Sequence, residues 1–493
     1  MTRACPGTYY WIWTWDNLVT GLAQAHWGDL DHLRQMVDFI RIHRDLDGAI
    51  PARWSRQLEP MDSRGIGGMD FLFSELVLAL FNETQDKMVL RANYAALHHA
   101  FSHLAEKTDA RGLFPGIGMY PDLPQKMGRT EQFYVAIDSG AWYSFCRNLE
   151  KIAALLGDEP TANRAAEFAQ KIHTHFLPTF WDDEKGFICD GFNPATGERL
   201  QTFPVFSLLF LESPLGYPLL ESKMPAAGDF IRQHLLGANG LSMTPAWDRN
   251  HTSEPAMSGW YPHWDWVALK VLARGEHREA IHFWLDRVEA CLRQLGYCPE
   301  FVATNVPPAE RFTRHGAAWN LNCAAGWYNA LLHAVLGLDF DLGGITCRAL
   351  PTGTVEKLAF RGGRWSVRKS GTGQFISALR LDNTEIFGTW KIPVRFYTAE
   401  SHDLEIRLQE QPPETPGLTE LWGAAVNQVE ISGAATRIEI QGLGLTDLQF
   451  CAAQPPQLLL DGQSLQFDWN APRQTGACQL KLTGIHELVL RKG

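Results

Sequence analysis

The periodicity of the apolar residues changes once along this chain, near residue 340, and that change limits the folds open to it. Before it, apolar residues recur at three- and four-residue spacing. They do so over Leu30 to Arg44, Met88 to Lys107, Ala141 to Leu156, Pro160 to Phe176, Trp266 to Ala273, His277 to Leu295 and Asn322 to Leu336. This spacing puts one apolar stripe on a helix. Gly157-Asp158-Glu159-Pro160 reads as the end of one helix and the start of the next, and Gly337 as the residue just past the last one. After Gly344 the apolar runs become short and alternating: Lys357 to Phe360, Phe375 to Leu381, Leu404 to Leu408, Gln428 to Ser432, Thr436 to Ile440 and Cys478 to Leu482. Turn pairs such as Gly362-Gly363 and Asp461-Gly462 separate them. The expectation is a mainly α chain, with a helical domain over residues 1–340 and an antiparallel β-sandwich over 341–493.

Long loops rich in Gly, Pro and aromatic residues lie between the expected helices. They run over Asp45–Gly68, Gly112–Arg129, Trp181–Phe203, Thr244–Trp264 and Gly296–Trp319. Loops of this length in a compact domain usually carry function. Their recurrence between helix pairs suggests helical hairpins that present loops on one face.

Charge and cysteine usage exclude several classes. The net charge is −11, from 44 basic and 55 acidic residues, which argues against binding nucleic acid by neutralising phosphate. No apolar run reaches the ~18–20 residues of a membrane span. Met1 to Pro6 lacks the apolar stretch of a signal peptide, so a cytoplasmic location without a membrane partner is expected. The nine cysteines are scattered with no CxxC pair, which reads as free, buried thiols in a reducing compartment and no zinc site. No loop of alternating oxygen ligands is evident. No strand precedes Gly65-Ile66-Gly67-Gly68, so neither a metal nor any other cofactor is expected. Oligomeric state is left open.

Tryptophan is the unusual component: 18 residues, 14 of them before residue 330. Trp11, Trp13 and Trp15 alternate, and an extended segment would put all three on one face. Asp16 follows them, either as a helix N-cap or as an acceptor for sugar hydroxyls beside stacking rings. Asp122 sits among apolar neighbours in Gly112–Pro124, a setting that raises a carboxyl pKa as a general acid needs; alternatively it is a turn aspartate before Pro124. Ser258 to Trp266 is either a wall of a binding cleft or a packed helix start capped by Asp265. Glu300 lies in an apolar stretch with Arg311 and Arg314 further along its loop, which suits an ionised general base or a surface ion pair. Two carboxyls in contrasting settings are what glycoside hydrolysis requires.

The order of these motifs resembles the six-hairpin (α/α)6-barrel glycosidases of the trehalase and processing α-glucosidase-like group (glycoside hydrolase families 63 and 37). Tyr10 to Asp16 is similar to their W-x-W-D opening motif, and Asp47-Gly48-Ala49-Ile50-Pro51 to their DG-x-IP loop. Pro121 to Pro124 stands where that group carries its acid, Ala136 to Ser139 where its V-D-L-N helix start lies, and Ser258 to Trp264 where it has Y-W-R-G-P-x-W. Pro299-Glu300-Phe301 with His315 to Asn320 resembles the stretch whose Glu is the base. The resemblance spans about residues 9–337. Tyr120-Pro121 replaces the usual Ser-Gly before the acid, the arginine of the Y-W-R-G-P motif is missing, and the β region trails the helices, as in rhamnosidase-like six-hairpin enzymes.

What the resemblance implies is an (α/α)6 toroid followed by a β-sandwich, acting as an exo-acting, inverting glycoside hydrolase on a carbohydrate with a terminal, α-linked glucoside-type unit. Asp122 would be the general acid and Glu300 the general base. Trp15, Asp16, Arg53, Trp264 and Trp319 would line the sugar pocket, with Trp11, Trp13, Trp260 and Trp266 converging on the same end. Asp70, Asp138, Asp248 and Glu254 are the other acid candidates. Alternative readings are an α-L-rhamnosidase-like hydrolase, a sugar epimerase or uronate lyase using His251, His263 and His315, and a non-catalytic carbohydrate-binding protein.

Overall fold

In the computed structural model, residues 11–44, 49–61, 67–115, 132–200, 219–220, 223–248, 258–350 and 353–493 are described. Helices come first: α1 (Thr14–Trp27), α2 (Leu30–Ile42), α3 (Gly67–Thr84), α4 (Lys87–Ala105), α5 (Ala136–Leu156) and α6 (Glu159–Phe180). They continue with α7 (Met224–Phe230), α8 (Asp265–Arg274), α9 (Arg278–Leu295) and α10 (Leu321–Ala330). The expected helices are present, shifted by a few residues at their ends. Helix α10 passes at Leu331–Val335 into a wider π turn.

The hairpin α5–α6 shows how local chemistry sets the connections. Gly157 takes the left-handed conformation (φ 82°) and its N–H closes back on Ala153 and Ala154. Asp158 then caps α6 by accepting from the Thr161 N–H, and its other oxygen takes the Tyr94 hydroxyl at 2.6 Å, pinning the turn to α4.

Packing sorts the helices into two layers. The contacts α5–α3, α3–α1, α1–α10 and α10–α8 form an inner series. Outside it, α6 packs on α5, α4 on both α3 and α5, α2 on both α1 and α3, and α7 and α9 on α8. The inner helices are buried nearly all round. In α3 the run Phe71, Leu72, Phe73, Leu76, Val77, Leu78 and Leu80 is at most 1% exposed. A helix enclosed on every side carries no polar stripe, so it has no amphipathic period. That is why α3 is missing from the expectations of the sequence. Among the described residues no helix is long and apolar enough to cross a membrane.

The change near residue 340 is real: the π turn ends at Val335, and among the described residues every regular element beyond it but one short 3-10 turn is a strand. We label the strands β1 (Ile12–Trp13), β2 (Arg53–Trp54) and β3 (Pro60–Met61) near the start, and β4 (Leu338–Asp341) and β5 (Gly344–Cys347) after the helices. One sheet holds β6 (Thr354–Phe360), β7 (Gly363–Gly371), β8 (Phe375–Leu381), β9 (Thr384–Ile386) and β10 (Ser401–Gln409), in the order β6-β7-β10-β8-β9. Its β7–β10 pairing is parallel, which departs from the antiparallel expectation. The reason is connectivity: β8 and β9 intervene in sequence, so the chain crosses over before β10 returns beside β7. The other sheet is antiparallel, with β11 (Gly417–Ser432), β12 (Ala435–Cys451) and β16 (Thr475–Arg491) as its long strands. Short strands β13 (Gln457–Leu460), β14 (Gln463–Ser464) and β15 (Asp468–Asn470) pair along its far side. Arg361-Gly362 and Asp461-Gly462 both turn with positive φ at each residue, the geometry that suits two-residue hairpins. Each sheet has its own apolar cluster, around Trp365 and Leu379 in one and around Ile440 and Phe450 in the other.

Candidate active site

The opening motif is not one extended strand. Only Ile12 and Trp13 pair with Trp54 and Arg53. Thr14 N–H bonds Ala52 O at 3.0 Å, and α1 starts there, with Trp13 in the cap position. The alternation therefore breaks after Trp13. Trp15 is a helical residue, 5% exposed, with its ring 5.2 Å from that of Trp264. Trp11 is exposed and Trp13 half-buried, their rings edge-to-face, and the Arg53 guanidinium lies over both rings at 4.5 and 4.9 Å. Asp16 is not the N-cap. It falls in the first turn of α1, half-buried.

Glu300 is placed by a small antiparallel loop pair. Glu300 N–H bonds Ala317 O at 2.8 Å, Gly316 N–H bonds Phe301 O at 2.9 Å and Ala303 N–H bonds Arg314 O at 2.9 Å. The carboxylate oxygen Oε2 accepts from Ala317 N–H at 3.2 Å. Gly316 has to be glycine: a Cβ there would lie 2.5 Å from the Phe301 ring and 2.9 Å from Glu300 Oε2. Arg314 is exposed, and Arg311 is turned onto its own loop, bonding Pro308 O at 2.9 Å. Asn320 closes the loop by capping α10 through Cys323 N–H at 2.9 Å.

These two elements, far apart in sequence, bring Asp16 and Glu300 together. Burial raises the Asp16 carboxyl to about 7, with the nearby charge of Glu300 as the next cause. The side chain of Asn322, in the first turn of α10, bonds the Asp16 carboxyl and lowers its pKa in part. Beneath them, Cys323 Sγ lies 3.2 Å from Glu300 O and 3.5 Å from His263 Nδ1. Trp15 and Trp264 form the buried floor. At the rim, Trp319 is 63% exposed, at a left-handed φ of 58°, with its ring 5.6 Å from that of Tyr297. The Tyr297 hydroxyl meets His315 Nε2 at 3.2 Å. The arrangement is a pair of half-buried carboxyls over an aromatic floor, with an exposed ring on the loop that carries Glu300. Such a surface can hold a polyhydroxyl ligand by hydrogen bonds and stacking, and it can exchange protons.

Not every expected residue joins this patch. Asp122, Glu254 and His251 lie outside the described residues. Asp70 and Asp138 are buried in the first turns of α3 and α5, and Asp248 is half-buried in its own loop. Trp260 and Trp266 are fully buried and do not line the site. Asp265 is no external cap. It is completely buried, and its carboxyl accepts three indole N–H groups: Trp260 at 2.8 Å, Trp284 at 2.6 Å and Trp327 at 3.0 Å. Part of the tryptophan excess thus serves the core. Asn322 and Cys323 are the members that sequence reading missed. The signal was their position just after Asn320, a capping residue that sets the first turn of a helix at the site. Among the described residues no group of three His, Cys, Asp or Glu is arranged to hold a metal. The eight described cysteines are all unpaired.

The sequence matches no protein-family profile and no curated protein. Solved structures do match. An uncharacterised conserved protein from Thermus thermophilus superposes with a TM-score of 0.51 at 14% identity, over 66% of this chain and 95% of that one. A GH63 mannosylglycerate hydrolase from the same organism, in complex with glucose, gives 0.51 at 13%, over 67% and 95%. A GH78 family rhamnosidase from Bacillus sp. GL1 gives 0.52 at 13%, over 83% of this chain and 41% of that one. At these identities the likeness is one of fold.

Proposed function

We propose that this protein is an exo-acting, inverting glycoside hydrolase that removes a terminal, α-linked glucoside-type unit from an oligosaccharide or glycoside. The observation that carries the reading is the Asp16–Glu300 pair, two carboxyls from distant segments that sense each other above the Trp15–Trp264 floor. Glu300 is the general base that activates water, oriented through Ala317 N–H. Asp122, which lies outside the described residues, is assigned as the general acid; inversion would require its carboxyl ~6.5–9.5 Å from that of Glu300. Asp16 is protonated below about pH 7 and donates to a sugar hydroxyl. Arg53, held over Trp11 and Trp13, and the exposed Trp319 bind the rest of the sugar. The reading includes closure of the inner helices into a six-hairpin toroid over residues 1–340, with a β-sandwich over 341–493. The likeness to a mannosylglycerate hydrolase supports it at the level of fold.

A second reading, α-L-rhamnoside hydrolysis, draws on coverage. The rhamnosidase match extends over 83% of the chain, more than residues 1–340 supply, so it reaches into the strands. Epimerisation or elimination is less well supported. Burial lowers His263 to about 3, so it stays neutral and is a poor proton carrier.

The test is hydrolysis of a panel of aryl α-glucosides and α-L-rhamnosides, with NMR reading the anomer released first. Inversion is expected. Glu300→Gln should lower kcat by on the order of 10²–10⁴-fold while sugar binding persists. Turnover by that variant at the wild-type rate would sink the assignment.

A further inference from the structure

His263 holds a position that the reaction as proposed does not use. Its backbone is locked in a short 3-10 turn, Pro262–Trp264, against α10. A Cβ on Gly326 would come within 2.4 Å of His263 Cα and 2.5 Å of Pro262 O, so α10 approaches as closely as glycine permits. The ring lies 4.6 Å from the Trp264 ring and edge-on to Tyr261 at 5.7 Å.

The proton positions follow from Cys323. Its thiol has one proton and three polar neighbours: Glu300 O at 3.2 Å, His263 Nδ1 at 3.5 Å and the backbone N–H of His263. The carbonyl oxygen is the closer, and it can only accept, so the S–H donates there. The sulfur lone pairs then face His263. One of them takes the His263 backbone N–H, and the other is a favourable neighbour for Nδ1 only when Nδ1 carries a hydrogen, which leaves Nε2 with a free lone pair. His263 is half-buried, and Nε2 makes no hydrogen bond among the described residues.

We infer that His263 is a specificity-determining residue: its Nε2, kept unprotonated by Cys323, accepts a hydrogen bond from one hydroxyl of the bound sugar. The inference rests on the proposed glycosidase reading and deepens it. Burial holds the ring neutral, and it keeps the Cys323 thiol protonated, so both partners have the protonation states the chain of bonds requires. Tyr261 stands edge-on to the ring, and the charges of Cys298, Glu300 and Asp16 all raise the Cys323 thiol further.

The experiment is ¹⁵N imidazole NMR on the full chain, with His263 assigned by its absence in His263→Gln, or in His263→Asn if the first variant does not fold. The expected result is the Nδ1–H tautomer, unchanged between about pH 5 and pH 8. Cys323→Ser should keep it and Cys323→Ala should release it. Methyl α-D-glucopyranoside or methyl α-L-rhamnopyranoside should then shift Nε2, and His263→Phe should weaken that sugar's binding about tenfold. An Nε2–H tautomer, or a ring that titrates near its ordinary 6.5, overturns the inference. So does a sugar that binds, by tryptophan fluorescence, without moving Nε2; that outcome leaves the glycosidase reading standing. If neither sugar binds and no glycoside is cleaved, the glycosidase reading fails and takes the sugar contact with it.

Discussion

Two residues at the site are held in states their chemistry disfavours. Asp16 stays protonated up to about pH 7 because burial and Glu300 both resist its charge. As pH rises through that value, the patch loses a donor and gains a second negative charge. Sugar affinity is therefore expected to fall above about pH 7 in the wild type. Asp16→Asn keeps a donor at every pH and should flatten that limb; an identical limb in both proteins would exclude Asp16 as its source. Trp319 is held at φ 58°, where a side chain is strained by roughly 1–2 kcal/mol, yet its ring is exposed. Strain kept for a ring that stays mostly exposed, touching Tyr297, points to use. Trp319→Gly should leave thermal stability equal or higher, and weaken sugar binding by about 1 kcal/mol, as titration calorimetry can read. A loss of stability with unchanged binding would make Trp319 a packing residue. Trp15, Asp16, Trp264 and Glu300 were legible as candidates from their aromatic or single-carboxylate settings, and Arg53 only through the family resemblance. Asn322 and Cys323 were not, because a polar residue on an inner helix shows its partner only after folding.

Among the elements, α8 and α9 are tied by Asp265 rather than by apolar packing alone. Three indole donors converge on one buried carboxyl. Asp265→Leu takes the acceptor from all three indole donors, and each buried donor left unpaired costs about 1–3 kcal/mol. A loss of at least about 3 kcal/mol in urea unfolding is expected. Burial raises the Asp265 pKa to about 8. Since the folded value lies above the ordinary 3.8, the folded state binds this proton more tightly. Its stabilising share is complete below about pH 4 and declines as pH climbs toward 8. Asp265→Asn should remove that slope. Helix α3 shows the limit of pattern reading at this scale: amphipathic helices announce themselves, and an enclosed one does not.

Across the whole molecule, helices and strands are joined by buried charge. Asp339 in β4 meets Lys270 of α8 at 3.5 Å, His333 at 3.1 Å and Arg348; Arg348 also holds Glu420 of β11, which lies 3.6 Å from Arg274 of α8. Trp422, beside Glu420 in the strand, packs into the helical core. Arg348→Leu would leave Asp339 and Glu420 short of their shared partner. A loss of about 3–5 kcal/mol is expected, read as a drop in unfolding midpoint. A change under about 1 kcal/mol would show that the remaining cations suffice. The Asp339 carboxyl is held well below the usual range, though burial opposes this; the charges of Arg348 and Lys270 hold it down. Its contribution is therefore present above about pH 4 and lost as pH falls.

What the sequence determined by itself was local: where helices yield to strands, which glycines and aspartates end and start them, and which loops gather aromatic rings and single carboxylates. Those depend on neighbours within a few residues, and period, capping and turn chemistry report them directly. Tertiary structure decided which carboxylate meets which. It put Asp16 beside Glu300, drew Asp265 into the core, and sent Trp260 and Trp266 inward. The physical reason is that burial and charge proximity, not spacing along the chain, set whether an acidic residue is a cap, a core tie or a member of a site.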